Sequence, residues 1–235
     1  MISYRKLAMR VLGHSPVSAV KTARRSTGKR AAALALTAAL VVGMTLPAFA
    51  DVYDLTKGDI SVGFKDNQQT VTQRDSDGHY VSNDKGEEIN GRPDGNVVIT
   101  TKDDATGEVK TTDNTVTVNS NEGKTVNVTL DNVTINVDEG SKYGYEPDAY
   151  KTAVSVTGSG NTNIELNGNN TLTSDGWHAG LEHNKEKDSN RNETSGTLTI
   201  TDTDKNGSLT ANGSSGGAGI GGANFKDAGK LEITG

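Results

Sequence analysis

The chain has 235 residues, with 24 Lys and Arg against 30 Asp and Glu, a formal charge of −6, and no cysteine. The missing cysteine excludes a disulfide framework and thiolate metal chemistry. The acidic balance repels nucleic acid, so no nucleic-acid partner is predicted, and it leaves oxygen ligands that suit calcium.

Residues 1–50 contain eight basic residues and no acidic one. An apolar run, AAALALTAALVVGMTL (31–46), leads to Ala48-Phe-Ala50, a small-x-small site before Asp51. This pattern predicts a secretory signal peptide over residues 1–50 and a secreted, extracellular protein. The run of roughly 16 residues falls short of the about 20 that a spanning helix needs, so no membrane span is predicted in the mature chain. Residues 51–235 then hold 16 basic and 30 acidic residues, a formal charge of −14.

Residues 51–95 are predicted to form an N-terminal β cap region, with alternation in DISVGF (59–64). A cap covers backbone groups that an open sheet edge would present to other strands. From residue 96 onward, short runs alternate apolar with Thr, Asn or Asp: NVVIT (96–100), NTVTVN (114–119), TVNVTLDNVTINV (125–137), TAVSVTG (152–158), TNIELNG (162–168) and GTLTIT (196–201). That period of two marks half-buried strands, and Gly, Asn and Asp between the runs mark turns. No stretch after residue 50 sustains a 3.6-residue period, so the fold class is all-β.

The runs recur. Val128-Thr-Leu130, Ile164-Glu-Leu166, Leu198-Thr-Ile200 and Leu231-Glu-Ile233 share one shape. An Ala-led strand precedes the last three, at Ala153–Val156, Ala179–Glu182 and Ala218–Gly221. Three short strands per unit predict a right-handed parallel β-helix, a solenoid, over residues 96–235. Leu130, Leu166, Ile200 and Ile233 are expected in one inward column. A β-sandwich is the alternative, and it leaves the Ala-led strand unexplained. Because Gly235 follows directly on a strand, the solenoid is expected to continue beyond it.

SSGGAGIGGANF (214–225) contains the G-x-G-x-x-G pattern of a nucleotide-binding turn. KLEIT (230–234) follows too soon for the helix that such a site needs. These glycines are therefore expected to serve tight turns and close backbone approach.

The units AVSV…NIELNGNNTLTS, AGLE…SGTLTITDTDKNGSL and GAGIGG…GKLEITG resemble the Gly-Ala-Gly-Ile-Gly-Gly repeats of secreted surface proteins of Gram-positive bacteria. Those repeats are similar to a β-helical carbohydrate-binding family of the pectate-lyase-like superfold. The resemblance covers about residues 96–235 and implies polysaccharide or cell-surface glycan binding, with calcium as an accessory ion.

Two insertions interrupt the runs, and loops on a rigid scaffold are where binding resides. DEGSKYGYEPDAYK (138–151) brings Tyr143, Tyr145 and Tyr150 beside Glu146 and Asp148. SDGWHAGLEHNKEKDSNRNE (174–193) carries Trp177, the one tryptophan, next to His178. Aromatic faces stack on sugar rings while polar neighbours bind hydroxyls, so these five residues are the candidate carbohydrate site. Packing of the tyrosines over an edge is the competing reading.

Catalytic signatures are sparse. His178 and His183 flank Glu182 without H-E-x-x-H spacing, and no G-x-S-x-G elbow occurs. Acid pairs such as Glu146/Asp148 or Asp175/Glu182 are open as glycosidase candidates, because carboxylate separation is a three-dimensional quantity. Arg92 and Arg191 are the candidate bases for a lyase. For calcium, KDDATGE (102–108) and TDTDKNGS (201–208) concentrate oxygen ligands, although the second lacks the distal glutamate of an EF-hand loop. The expected function is non-catalytic carbohydrate binding, with a structural stalk or adhesin second and a polysaccharide lyase or glycosidase third.

Overall fold

A computed structural model describes residues 51–137 and 151–235. The expected signal peptide, along with Tyr143, Tyr145, Tyr150, Glu146 and Asp148, lies outside the described residues. No helix among the described residues is long and apolar enough to cross a membrane.

The all-β expectation holds for the described residues, among which a three-residue 3-10 turn at Leu55–Lys57 is the helical exception. The first sheet contains β1 (Val52–Asp54), β5 (Val97–Thr100), β8 (Thr125–Asp131), β11 (Asn161–Thr173), β13 (Thr197–Thr201) and β16 (Lys230–Thr234), paired in that order and all parallel. The second half of β11 also joins a further parallel ladder with β6 (Thr111–Thr112), β9 (Thr134–Asn136) and β14 (Gly207–Asn212). The second sheet takes β2 (Asp59–Lys65), β7 (Val116–Asn119), β10 (Val154–Thr157), β12 (Leu181–Glu182) and β15 (Ile220–Gly221) in parallel. At one end of it, β3 (Gln68–Arg74) and β4 (Arg92–Pro93) continue antiparallel. From β7 onward the chain visits the second sheet, then the first ladder, then the further ladder, and returns in the same order.

The alternation read from sequence becomes columns of side chains. Val97, Val128, Ile164, Ile200 and Ile233 are successive partners in the first ladder. The first four are at most 3% exposed, whereas Ile233, on the last strand, is 65% exposed. Ile60, Val116, Val154, Leu181 and Ile220 form the matching column of the second sheet. Buried apolar residues of both sheets belong to one core. Outward residues bond along the strand-to-strand direction, as in Asn163 Nδ2 to Asn127 Oδ1 at 3.0 Å and Ser208 Oγ to Asn169 Oδ1 at 2.9 Å.

Two register expectations need correction. Leu130 does pair with Leu166, but Ile200 pairs with Ile164, so the four residues occupy two columns. The corner before β13 sets this register: a Cβ on Gly196 would stand 1.9 Å from Gly160 O, and one on Gly160 2.0 Å from Asn121 O. A shift of two residues leaves every side chain on its original face, so the core survives the error. The Ala-led strands also slip. Val154 pairs with Leu181, which puts Ala179 one place out of step with Ala153, while Leu181 and Ile220 keep the expected alignment.

Two stability measurements test this packing. In urea unfolding, Ile164→Ala is expected to cost about 2–5 kcal/mol and Ile233→Ala about 1 kcal/mol or less. Equal losses would contradict the column. Thr162 stacks between Val126 and Leu198, fully buried, and its hydroxyl has no hydrogen-bond partner. Thr162→Val is expected to stabilise by about 1 kcal/mol, and a destabilised variant would show that the hydroxyl is satisfied in solution.

Candidate functional site

The turn between β11 and β12 holds Trp177 and His178, and its backbone is tied on every side. Ser174 Oγ accepts from Ala153 N at 2.8 Å and donates to Ala179 O at 2.7 Å. Asp175 N donates to Lys151 O, and His178 N to Asp175 O. Gly176 sits at φ +61°, a conformation in which a side chain would be strained. Lys151, the last residue of the first insertion (138–151), thus meets the start of the Trp177 turn.

The glycine-rich segment closes the turn from the other side. Asn224 N donates to Trp177 O at 2.7 Å, and Ser214 N to His178 O at 3.1 Å. A Cβ on Gly217 would stand 2.1 Å from His178 O, and one on Gly222 2.2 Å from Lys226 O. The glycines thus serve close backbone approach. Their position opposite the Trp177 turn was not legible, because the sequence gives no distance between one turn and the next.

His178 and Glu182 form the polar centre. His178 Nδ1 lies 2.8 Å from Glu182 Oε2. Ala179 N donates to the same oxygen at 3.2 Å and Thr152 Oγ1 at 3.4 Å, while Asn184 Nδ2 donates to Oε1 at 2.7 Å. The hydrogen bond to Glu182 raises the His178 pKa above the usual histidine value, against a smaller effect of burial, and the charges of Glu182 and Asp175 add to the rise. Burial pushes the Glu182 carboxyl up, but the His178 hydrogen bond and charge, with Ala179 N–H and Asn184, outweigh it and hold the group below its ordinary value. Trp177 is 36% exposed at the edge of this pair.

His178 and His183 part company. His183 is buried, its ring between Val156 O at 3.2 Å and Gly196 O at 3.0 Å, and it belongs to the interior. Sequence reasoning gave Glu182 no more than a place in an acid pair and missed Thr152, Ser174, Asn184 and Asn224 altogether. Only the proximity of Glu182 to His178 along one turn carried a signal.

The other candidates are committed elsewhere. Asp175 is buried, with Oδ1 accepting from Gly176 N. Arg92 bridges Asp51 at 2.7 Å and Glu87 at 2.8 Å, and Arg191 occupies a turn position at φ +65°. Of the calcium segments, Asp103 accepts from Ala105 N, Thr106 N and Lys110 Nζ, contacts that hold its carboxyl well below the usual carboxylate range. Asp202 Oδ1 likewise accepts from Asn206 N and Gly207 N. Both acidic segments are turns stabilised by their own carboxylates.

The ion pair fixes a pH window. A raised His178 pKa contributes stability that is complete below about pH 6.5 and lost as pH rises through the folded-state value. A lowered Glu182 pKa contributes stability that is present above about pH 4.5 and lost as pH falls through the folded-state value. Emission from the single tryptophan should therefore be constant between these limits and change beyond each. Glu182→Gln should move the alkaline transition to lower pH, and an unmoved midpoint would show that the pair does not hold the turn. No family model, no curated protein and no solved structure matches this chain.

Proposed function

We propose that the chain is a secreted, non-catalytic, right-handed parallel β-helix that binds extracellular polysaccharide or cell-surface glycan at the Trp177 turn. The observation that carries the reading is a partly exposed tryptophan on a turn whose backbone is clamped from both sides, beside a hydrogen-bonded His178–Glu182 pair. A preformed aromatic face next to fixed polar groups matches the mixed surface of a sugar ring at small ordering cost. Tyr143, Tyr145 and Tyr150 belong to the same proposal through the chain that reaches Asp175 at Lys151.

The solenoid part of the reading is supported by the parallel pairing of every ladder other than those of β3 and β4, and by the fixed order of visits. Successive partners Val97, Val128, Ile164, Ile200 and Ile233 lie 31, 36, 36 and 33 residues apart. Parallel crossovers are right-handed in nearly all proteins, which is the basis for the hand. Secretion rests on the basic, apolar and small-residue pattern of residues 1–50. The non-catalytic reading rests on the acid pair among the described residues: Glu182 receives four hydrogen bonds and Asp175 is buried.

A second reading, a stalk that spaces a partner from the cell, is favoured by the rows of Asn, Thr and Ser that bond to one another on the outer faces. Glycan-array screening followed by calorimetry separates the two. The binding reading expects a saturable glycan whose affinity falls roughly tenfold in Trp177→Ala. An array without hits, or an affinity indifferent to that substitution, would leave the stalk.

A further inference from the structure

Among the described residues, one small loop occurs three times with the same pattern of backbone hydrogen bonds. In residues 75–79, Asp75 Oδ1 accepts from Asp77 N at 3.0 Å and His79 N at 2.8 Å, and Gly78 has φ +82°. In residues 83–87, Asn83 Oδ1 accepts from Lys85 N at 3.0 Å and Glu87 N at 2.9 Å, and Gly86 has φ +78°. In residues 188–192, Asp188 Oδ1 accepts from Asn190 N at 2.9 Å and Asn192 N at 2.8 Å, and Arg191 has φ +65°. An antiparallel bridge flanks each loop, at Arg74–Tyr80, Ser82–Glu88 and Lys187–Glu193.

The first and fifth side chains of this loop face one another, and in two copies a donor meets an acceptor. Asn83 Nδ2 donates to Glu87 Oε2 at 3.0 Å, and Asn192 Nδ2 donates to Asp188 Oδ2 at 3.1 Å. The first copy breaks the pattern. Asp75 and His79 face each other at 3.7 Å, too long for a hydrogen bond, and Asp77 joins them. Ligand atoms of all three lie within 4.8 Å of one another, the one such group among the described residues. Apart from a proton on the imidazole, nothing in this trio is a donor. The neighbouring Arg74 is engaged with other groups: it donates to Gly78 O and Tyr80 Oη and stacks 3.9 Å from the Tyr80 ring centre.

We propose that the Asp75–Asp77–His79 loop binds a divalent transition-metal ion. One imidazole nitrogen with two carboxylates suits zinc or its neighbours better than calcium, which prefers oxygen alone. Metal–ligand distances of about 2.0–2.2 Å require the three groups to close by roughly 1 Å, and these solvent-facing side chains are able to rotate that far. Asp75 and Gly78 also line a cleft of about 510 Å³ that takes in Asp59, Asp113 and Lys151, whereas Asp77 and His79 lie outside its lining. The ion is independent of the Trp177 reading.

Titration of the tag-free chain with zinc chloride at neutral pH, read by calorimetry, tests the proposal. One saturable site is expected, weakened at least about tenfold by His79→Ala and by Asp77→Asn. Asp188→Asn, in the copy whose side chains already match, is expected to leave affinity unchanged. Circular dichroism of each variant checks the fold, which the exposed Asp77 and His79 side chains do not support. An absence of saturable binding, or binding that persists unchanged in both His79→Ala and Asp77→Asn, would overturn the site.

Discussion

The structure depends on apolar side chains sharing an interior from one strand to the next. Each strand contributes only three to seven residues to the first ladder, and no single one buries its own inward face. Burial comes from neighbours: Val128 and Ile164 are nearly inaccessible because a strand lies on either side, whereas Ile233 has a neighbour on one side alone and is mostly exposed. Each buried Val, Leu or Ile contributes roughly 1.5–3 kcal/mol, a contribution that disappears if the adjoining strand leaves. Hydrogen bonds along the ladders fix which residues meet, and the core decides whether the arrangement persists.

This dependence explains what was legible. The period of two identified KLEIT, NVVIT, GTLTIT and TNIELNG as strands, because a half-buried strand writes its two environments alternately into the chain. Pairing register was less legible. Comparing apolar-x-apolar triplets matched Ile200 with Leu166, two places from its partner. The difference arises at corners, where Gly158, Gly160 and Gly196 nest against carbonyl oxygens of the previous turn. Strand alternation carries no record of corner length, so this information lay in glycines that the strand pattern passes over.

The candidate site was partly legible for a related reason. Trp177 and His178 stand out by residue type, and the structure brings them to one turn. Their supporting groups do not stand out. Ser174, Thr152, Asn184 and Asn224 are common polar residues whose roles come from facing a buried carboxylate or a backbone group across 2 to 47 positions of chain. Asp175 and Glu182 looked equivalent as acids. Glu182 is surrounded by donors, while one oxygen of Asp175 has none.

The thrice-used loop has a consequence for how such a chain acquires chemistry. Its backbone is secured by one acceptor oxygen at the first position and a left-handed residue at the fourth, while the fifth side chain makes contacts that differ from copy to copy, such as Glu87 with Arg92 and Asn192 with Asp188. Exchanging Glu87 or Asn192 for another residue would leave the connection intact while changing what it offers to solvent. The scaffold therefore provides interchangeable sockets, in which a new recognition property can arise by one or two substitutions without any repacking of the interior.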